Sequence, residues 1–211
     1  MHGDEVYRPL FHSISPADTE FPPSLLNLGY KNTVVTSSMS KAYSLAGIRL
    51  GWIASRSDDI IERCMNSRDY TTISVSQLDD AVASYALAPQ TLHNLLHRNI
   101  ELAKTNLSLL EKFVESHRWA CEWSKPRAGT VAFVKFTKMG RPVDDVVFCR
   151  LLTERTGVLF VPGSSCFGRD GDFKGYVRIG FVTETRILQE ALQKLGDFLS
   201  KDYVNDVPLA S

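Results

Sequence analysis

The sequence predicts an α/β protein built in two parts. Short runs of apolar and β-branched residues, which are typical of strands, alternate with segments whose apolar residues recur every three or four positions, as on one face of a helix. After residue 118 the pattern changes to short strands separated by turns, which predicts a second part of the α+β type. We therefore expect two domains, residues 1–117 and residues 118–211.

The elements of the first part follow from local signals. The opening residues are predicted as loop, because prolines interrupt any helix there. Strands are expected at residues 33–36, where β-branched residues cluster, and at residues 47–54. Ser57 is expected to cap a helix whose first turn is acidic, and another helix is expected at residues 75–87. A long one-sided helix is predicted over residues 92–114.

The second part is predicted to alternate strands with two helices. One helix is expected near residues 143–153, and a final helix after Thr183. The strands are expected at residues 120–123, 131–136, 158–161 and 176–181. The inner face of the final helix is predicted to carry Ile187, Leu188, Ala191, Leu192, Leu195 and Phe198.

Composition limits the classes of function. The 24 basic residues balance the 24 acidic ones, so nothing in the net charge favours nucleic acid or an anionic membrane. No run of apolar residues is long enough for a membrane-spanning helix, and the first residues contain no apolar segment typical of a secretory signal. The scattered cysteines predict neither a disulfide framework nor a metal cage, and we expect a cytoplasmic protein without a metal.

Lys41 is the first candidate for chemistry. It lies in the segment SSMSKAYSLAGIRLG (residues 37–51), where a strand is expected to lead into a turn. A lysine in a turn is commonly an ordinary surface residue. Here Ser38, Ser40 and Arg49 supply the hydrogen-bond donors that a phosphate requires. A second cation near Lys41 also favours the free amine that attacks an aldehyde.

Two further groups of residues admit two interpretations each. Asp4 and Tyr7, three residues apart, are either solvated or aimed at the same ligand ring, where the carboxylate would keep a pyridine nitrogen protonated. Arg178, in the otherwise apolar segment YVRIG, forms either an internal salt bridge or a bidentate clamp for a carboxylate ligand. His93 and His97 share a helical face, but the sequence offers no third metal ligand near them.

Taken in order, the motifs resemble the class I and II aminotransferases that depend on pyridoxal 5'-phosphate (PLP), the fold-type-I enzymes. They are D-x-x-Y from Asp4, S-x-S-K ending at Lys41 with Arg49 eight residues later, and R-I-G from Arg178. The resemblance covers essentially the whole chain. It implies the C-terminal half of the PLP-transferase fold of type I: part of the large domain, with a mostly parallel sheet and helices, and then the α+β small domain.

The resemblance also implies roles for these residues. Lys41 would form the Schiff base with PLP, Asp4 would pair with the ring nitrogen, and Tyr7 would donate to the ring oxygen. Ser38 and Arg49 would bind the phosphate.

Ser40 would be a further phosphate ligand, and Arg178 would hold the α-carboxylate of the substrate. The implied reaction moves an amino group from an amino acid to a keto acid, in a cytoplasmic protein that forms a homodimer when full-length. A PLP-dependent lyase or cyclase would use the same cofactor residues. A truncated, non-catalytic remnant is a third interpretation, because the segment that completes the cofactor site in this family has no counterpart before Asp4.

Overall fold

The protein, seen in a computed structural model that describes residues 1–169 and 171–211, contains two compact units. The first unit comprises Met1–Glu101 and Arg127–Gly129, and the second comprises Leu102–Pro126 and Thr130–Ser211. The units thus divide inside a long helix, whereas the sequence pattern places the domain boundary between residues 117 and 118. That boundary stays a prediction.

A three-stranded sheet, ordered β1-β2-β3, forms the centre of the first unit. Strand β1 (His2–Asp4) runs parallel to β2 (Val34–Ser38), and β2 runs antiparallel to β3 (Gly51–Ser55). One of the two strand pairs is therefore parallel. The prediction of loop for the opening residues is wrong in two places. Residues 2–4 form β1, because hydrogen bonds to β2 stabilise this strand, and Leu25–Leu28 form a 3-10 turn.

Strand β2 confirms the strand predicted at residues 33–36, and it continues through Ser38. Strand β3 begins later than the predicted residues 47–54, because a 3-10 turn (Ala46–Ile48) and Arg49 come first. Arg49 has a φ of 50°, in the left-handed region that no strand residue adopts.

Three helices follow the sheet: α1 (Asp58–Asp69), α2 (Gln77–Leu87) and α3 (Pro89–Ser116). Helix α3 confirms the long one-sided helix. Ser57 occupies the predicted N-cap position of α1, before the acidic first turn, although its side chain makes no capping hydrogen bond. Ser76 does cap α2, accepting a hydrogen bond from the Asp79 N–H at 3.4 Å. Among the described residues, no helix has both the length and the apolar character needed to cross a membrane.

The second unit is built on an antiparallel sheet with the order β4-β5-β8-β7. Its strands are β4 (Cys121–Trp123), β5 (Val131–Lys138), β7 (Val161–Pro162) and β8 (Tyr176–Gly180), and the short β6 (Arg141–Pro142) pairs with β5. The strand predicted at residues 158–161 is wrong except at its last residue. In the described part of the chain, the pairing with β8 begins at Val161, and residues 158–160 are not assigned to a strand.

Helices in the second unit are α4 (Asp145–Thr156), α5 (Gly163–Cys166), α6 (Thr185–Phe198) and α7 (Val204–Asp206), with a π turn (Leu199–Tyr203) before α7. The inner face of α6 is as predicted for the buried Leu188, Leu192, Leu195 and Phe198. Ala191 packs against this core while partly buried. Ile187 is 46% exposed, so its assignment to the inner face of α6 is wrong. It precedes the buried Leu188 in the helix and lies beside the buried face.

The two faces of strand β5 have different neighbours. Ala132, Val134 and Phe136 are buried in the core of the second unit. The alternate residues, including Phe133, are only partly buried, and Phe133 lies opposite Arg178 of β8. Because side chains alternate along a strand, Arg178 lies on the outer face of this sheet.

Candidate functional site

The parallel pairing of β1 and β2 brings the first two motifs to one edge of the sheet. Asp4 is in register with Thr36, and the Glu5 N–H donates to the Thr36 carbonyl at 2.8 Å. Strand β1 ends at Asp4 and β2 ends at Ser38, so Asp4 and the turn after Ser38 lie at the carboxyl ends of neighbouring parallel strands. Open α/β sheets bind ligands at this edge.

Asp4 and Tyr7 are placed by the turn that follows β1. Asp4 is exposed, and its Oδ1 accepts a hydrogen bond from the Val6 N–H at 3.1 Å, which orients the carboxylate. Tyr7 is half-buried, and its carbonyl accepts from the Leu10 N–H at 2.7 Å. The Tyr7 ring packs beside Gly129, where an added Cβ would lie 3.6 Å from it.

The turn that carries Lys41 has a closely tied backbone. The Met39 N–H donates to the Leu50 carbonyl at 3.1 Å, and the Leu45 N–H donates back to the Met39 carbonyl at 2.9 Å. Met39 and Ala42 are fully buried, whereas Lys41 between them is exposed. The fold therefore fixes the backbone on both sides of Lys41 and leaves its amine accessible.

Burial also keeps the aromatic member of this turn neutral. Tyr43 is 9% exposed, its ring contacts Trp52 edge-on at 6.2 Å between centroids, and burial raises the pKa of its phenol. Tyr43 therefore anchors the turn through packing and adds no charge beside Lys41.

Hydroxyl and guanidinium groups surround this turn. The Ser38 Oγ accepts a hydrogen bond from the Ser40 N–H at 3.2 Å, so the Ser38 hydroxyl proton is left to donate elsewhere. Arg49 is exposed, and its Nη1 donates to the Ala46 carbonyl at 2.8 Å. Ser40 is half-buried next to Lys41. The three predicted phosphate ligands thus lie in one stretch of chain, from the last residue of β2 to the segment before β3.

Arg178 belongs to the second unit. It is exposed, and its guanidinium carbon lies 5.3 Å from the centre of the Phe167 ring. Within residues 1–169 and 171–211, no carboxylate forms an ion pair with Arg178, so the interpretation as an internal salt bridge finds no support there. A cation over an aromatic face keeps its full charge and its N–H donors.

Aromatic rings continue outward from Phe167. Phe133 contacts Phe167 at 5.5 Å and Phe173 at 5.2 Å between centroids, and it stacks on Tyr176 at 5.0 Å. Through Phe167, Arg178 thus contacts a cluster of packed aromatic rings. Sequence reasoning missed this cluster, although the aromatic residues close to Arg178 were a signal for it.

Asp145 is a second residue that sequence reasoning missed. It is 1% exposed, and its carboxylate accepts from the Ser164 N–H and hydroxyl, each at 2.9 Å, and from the Gly175 N–H at 3.0 Å. These bonds fix both ends of the segment that carries Phe167. An acidic residue in the first turn of a helix is so common that the sequence offered no signal for this role.

His93 and His97 lie close together on α3. The rings of His93 and His97 stack with centroids 6.2 Å apart. In the described part of the chain, no group of three His, Cys, Asp or Glu residues is arranged to hold a metal ion.

Comparisons with known proteins assign the family. The model of the family "Aminotransferase class I and II" matches residues 3–195. A capreomycidine synthase of Streptomyces vinaceus is 32% identical over 162 residues, which cover 77% of this chain and 39% of that protein. An aspartate aminotransferase of Thermotoga maritima is 29% identical over 204 residues, covering 94% and 47%.

Solved structures agree. A PLP-dependent aminotransferase from Streptococcus suis superposes with a TM-score of 0.79 at 34% identity, covering 95% of this chain and 48% of that one. The PLP-dependent cyclase OrfR gives a TM-score of 0.80 at 25% identity, covering 95% and 50%. The chain thus spans about half the length of the relatives it matches. It belongs to the class I and II aminotransferase family and has the fold of the corresponding half of the fold-type-I PLP-dependent enzymes.

Proposed function

We propose that this chain carries the Lys41 half of a PLP-dependent aminotransferase site, which moves an amino group from an amino acid to a keto acid. The observation that carries the proposal is the turn after β2. It presents the exposed Lys41 on a fixed backbone, at the same sheet edge as the Asp4 carboxylate.

The donor set of this turn fits PLP. A phosphate dianion requires hydroxyl, amide and cationic donors, which Ser38, Ser40 and Arg49 provide. A pyridine nitrogen that must stay protonated requires an anionic acceptor, and the Asp4 carboxylate is exposed at the same edge. An aldehyde requires a free amine, which Lys41 offers. We therefore assign Lys41, Asp4 and these three residues to the cofactor, with Tyr7 as donor to the ring oxygen.

When bound, PLP supplies an electron sink that acidifies the Cα–H of an amino acid. The Asp4 carboxylate holds the proton on the ring nitrogen. Lys41 Nζ would take the proton from Cα as a general base and, as a general acid, would deliver it to the cofactor carbon that was the aldehyde carbon, the transfer that transamination requires. Tyr7 orients the ring by donating a hydrogen bond from its phenol.

Arg178 binds the carboxylate that both substrates share. An amino acid and its keto acid differ at Cα but carry the same carboxylate, so one planar guanidinium can serve both halves of the reaction. The ring of Phe167 holds Arg178 without neutralising it. This supports a carboxylate-binding role over a structural one.

Reductive labelling tests the assignment of Lys41. The 211-residue chain is mixed with PLP, reduced with borohydride and digested, and the labelled peptide is identified by mass spectrometry. We expect the label on Lys41, and we expect Lys41→Arg to abolish it. The matched control is Lys31→Arg, which replaces another exposed lysine of the first unit and should keep the label. A label on a different lysine in the wild-type chain would overturn the assignment.

A lyase or cyclase is the second candidate, because the capreomycidine synthase and the cyclase OrfR are among the similar proteins. A 15N-labelled amino acid separates the two candidates. An aminotransferase passes the labelled nitrogen to a second keto acid, whereas a cyclase keeps it in the product. A cytoplasmic homodimer belongs to the same proposal, and sedimentation of the chain tests the dimer.

A further inference from the structure

Two buried asparagines interrupt the apolar face of α3. Asn99 is 3% exposed and Asn106 is fully buried. They are seven residues apart, so they lie on the same side of the helix. Burial of a side-chain amide costs free energy of folding unless the amide is hydrogen-bonded. The backbone hydrogen bonds of the helix itself leave these amides without a partner, so the partner must lie elsewhere. Their partners therefore indicate why these residues are polar.

Each asparagine donates to the carbonyl of a distant loop. Asn99 Nδ2 donates to the Ala42 carbonyl at 2.9 Å. Asn106 Nδ2 donates to the Phe181 and Thr183 carbonyls, both at 2.8 Å. Asn106 thus ties the residues that follow β8 in the second unit, whereas Asn99 ties the turn of the first unit that carries Lys41.

The orientation of the Asn99 amide is fixed by its neighbour. The Arg98 guanidinium donates to Asn99 Oδ1 from Nη2 at 3.2 Å and from Nε at 3.4 Å. Because Oδ1 accepts from Arg98, Nδ2 is directed at Ala42. Asn99 is therefore a preset donor.

A hydrogen bond to the Ala42 carbonyl fixes the backbone directly beside Lys41. Ala42 directly follows Lys41, and the carbonyl of Lys41 itself accepts from the Ser44 N–H at 3.1 Å. With the Asn99 bond, two successive carbonyls are held, one locally and one by a helix far along the sequence. The lysine side chain is long and flexible, so the fold can position its amine only through the backbone that bears it.

We propose that Asn99 is a positioning residue for Lys41: its amide holds the Lys41–Ala42 backbone at the place from which the amine reaches the cofactor. This rests on the proposed function of Lys41. Displacements of about 1 Å at a reacting group have large effects on reactivity. Loss of the Asn99 donor therefore weakens capture of PLP by Lys41, while Lys41 and all the proposed PLP ligands remain in place.

The test measures PLP capture in the 211-residue chain. PLP is titrated, the mixture is reduced with borohydride, and the label on Lys41 is quantified. Asn99→Leu keeps the volume and removes the donor. We expect it to raise the PLP concentration for half-maximal labelling about tenfold, the equivalent of about 1.4 kcal/mol. Asn99→Asp, which also lacks the donor, should act in the same direction and serves if the leucine variant does not fold.

Asn106→Leu is the matched control. It removes two hydrogen bonds from the same face of the same helix, so it lowers the thermal unfolding temperature, but it should leave the labelling of Lys41 unchanged. Equal losses of labelling in both variants would show a general effect of destabilisation and overturn the proposal. Unchanged labelling in Asn99→Leu and Asn99→Asp would overturn it as well.

Hydrogen exchange decides the case if the wild-type chain is not labelled at Lys41, a result that would sink the proposed function by itself. The Ser44 and Leu45 amides, which close the turn, should exchange faster in Asn99→Leu and at the wild-type rate in Asn106→Leu. Equal exchange in all three chains would show that Asn99 does not hold the turn.

Discussion

At the scale of single residues, Arg178 shows how an exposed cation can be oriented without being paired with a carboxylate. The face of Phe167 orients the guanidinium, and the pair contributes on the order of 0.5–1 kcal/mol at an exposed site. A carboxylate neighbour would have fixed the arginine equally well but would have competed with the ligand. The ring of Phe167 therefore orients Arg178 without neutralising its charge.

Replacing Arg178 should weaken binding of the substrate and leave binding of the cofactor unchanged. We expect Arg178→Lys to weaken amino-acid binding by about 2 kcal/mol, because an ammonium cannot form the two parallel hydrogen bonds of a guanidinium. The measurement is a titration of amino acid into a chimera that supplies the preceding half of the Thermotoga maritima relative. Lys41 labelling by PLP is the control and should not change. Loss of labelling with intact amino-acid binding would contradict the assignment.

Two buried thiols predict the response of the chain to alkaline pH. Burial raises the pKa of Cys121 and of Cys149 from the ordinary 9.0 to about 12, and for Cys149 the nearby Asp145 charge adds to the effect. Between pH 9 and pH 12 the unfolded chain therefore releases protons that the folded chain keeps. Their contribution to stability is complete below pH 9 and is lost as the pH rises toward 12.

Urea unfolding followed by circular dichroism checks this expectation. The free energy of unfolding should fall from pH 9 to pH 11, and it should fall less steeply in the double variant Cys121→Ala, Cys149→Ala. Some slope remains, because burial raises the pKa of the Tyr203 phenol as well. An identical slope in the double variant would contradict the assignment to the thiols.

At the scale of elements, the pairing of β2 with β3 depends on the absence of a side chain at Gly51. An added Cβ there would lie 2.8 Å from the Ser37 carbonyl oxygen and 3.2 Å from the Ser38 Cβ. We expect Gly51→Ala to push the strands apart, to cost about 1–3 kcal/mol of stability and to weaken Lys41 labelling. Thermal unfolding and the labelling titration measure the two effects.

Gly47→Ala is the matched control for Gly51→Ala. An added Cβ at Gly47 would meet no atom within 4 Å, and the residue has no left-handed backbone conformation. Stability and labelling should stay close to the wild type. A similar loss in both variants would show that the close approach at Gly51 is not the cause.

Sequence patterns predicted the elements whose own residues show a clear helical or strand periodicity. Helix α3 was predictable because its apolar residues recur at helical spacing over many turns. Strand β1 was not, because three residues give no periodicity and its hydrogen bonds come from β2, some thirty positions later. Residues 158–160 have the apolar composition of a strand, but their pairing with β8 begins only at Val161, which a local pattern does not reveal.

The candidate site divides in the same way. The motif residues were identified because each is a chemically unusual residue at a fixed spacing. Asn99 and Asp145 were not, because their roles come from contacts across 57 and 19–30 positions. An asparagine on the apolar stripe of α3 was the available signal, and it becomes informative only when its partner is known.

At the scale of the whole molecule, the two units differ in how well their apolar side chains are covered. The second unit has a large continuous core. In the first unit, large side chains of α1, α2 and the segment between them remain exposed: Met65 56%, Tyr70 92%, Ile73 68%, Leu78 81% and Tyr85 68%. Exposed apolar surface on this scale favours aggregation or binding.

Limited proteolysis should therefore cut the first unit first. We expect early cleavage between α1 and α2 and a resistant fragment that retains the second half of α3, because Ala103, Leu107 and Leu110 belong to the core of the second unit. Mass spectrometry of the fragments checks the result. Cleavage of both units at the same rate would contradict this difference in stability.

The left-handed backbone at Arg49 has a consequence for anyone who evolves this protein in the laboratory. A residue other than glycine in this conformation costs about 1–2 kcal/mol, so a screen for heat resistance would favour Arg49→Gly. The same change would delete the proposed phosphate contact. Selection for thermal stability would therefore favour glycine at position 49, whereas selection for catalysis would favour arginine. Variants selected for stability alone would lose the proposed cofactor contact while they kept the fold.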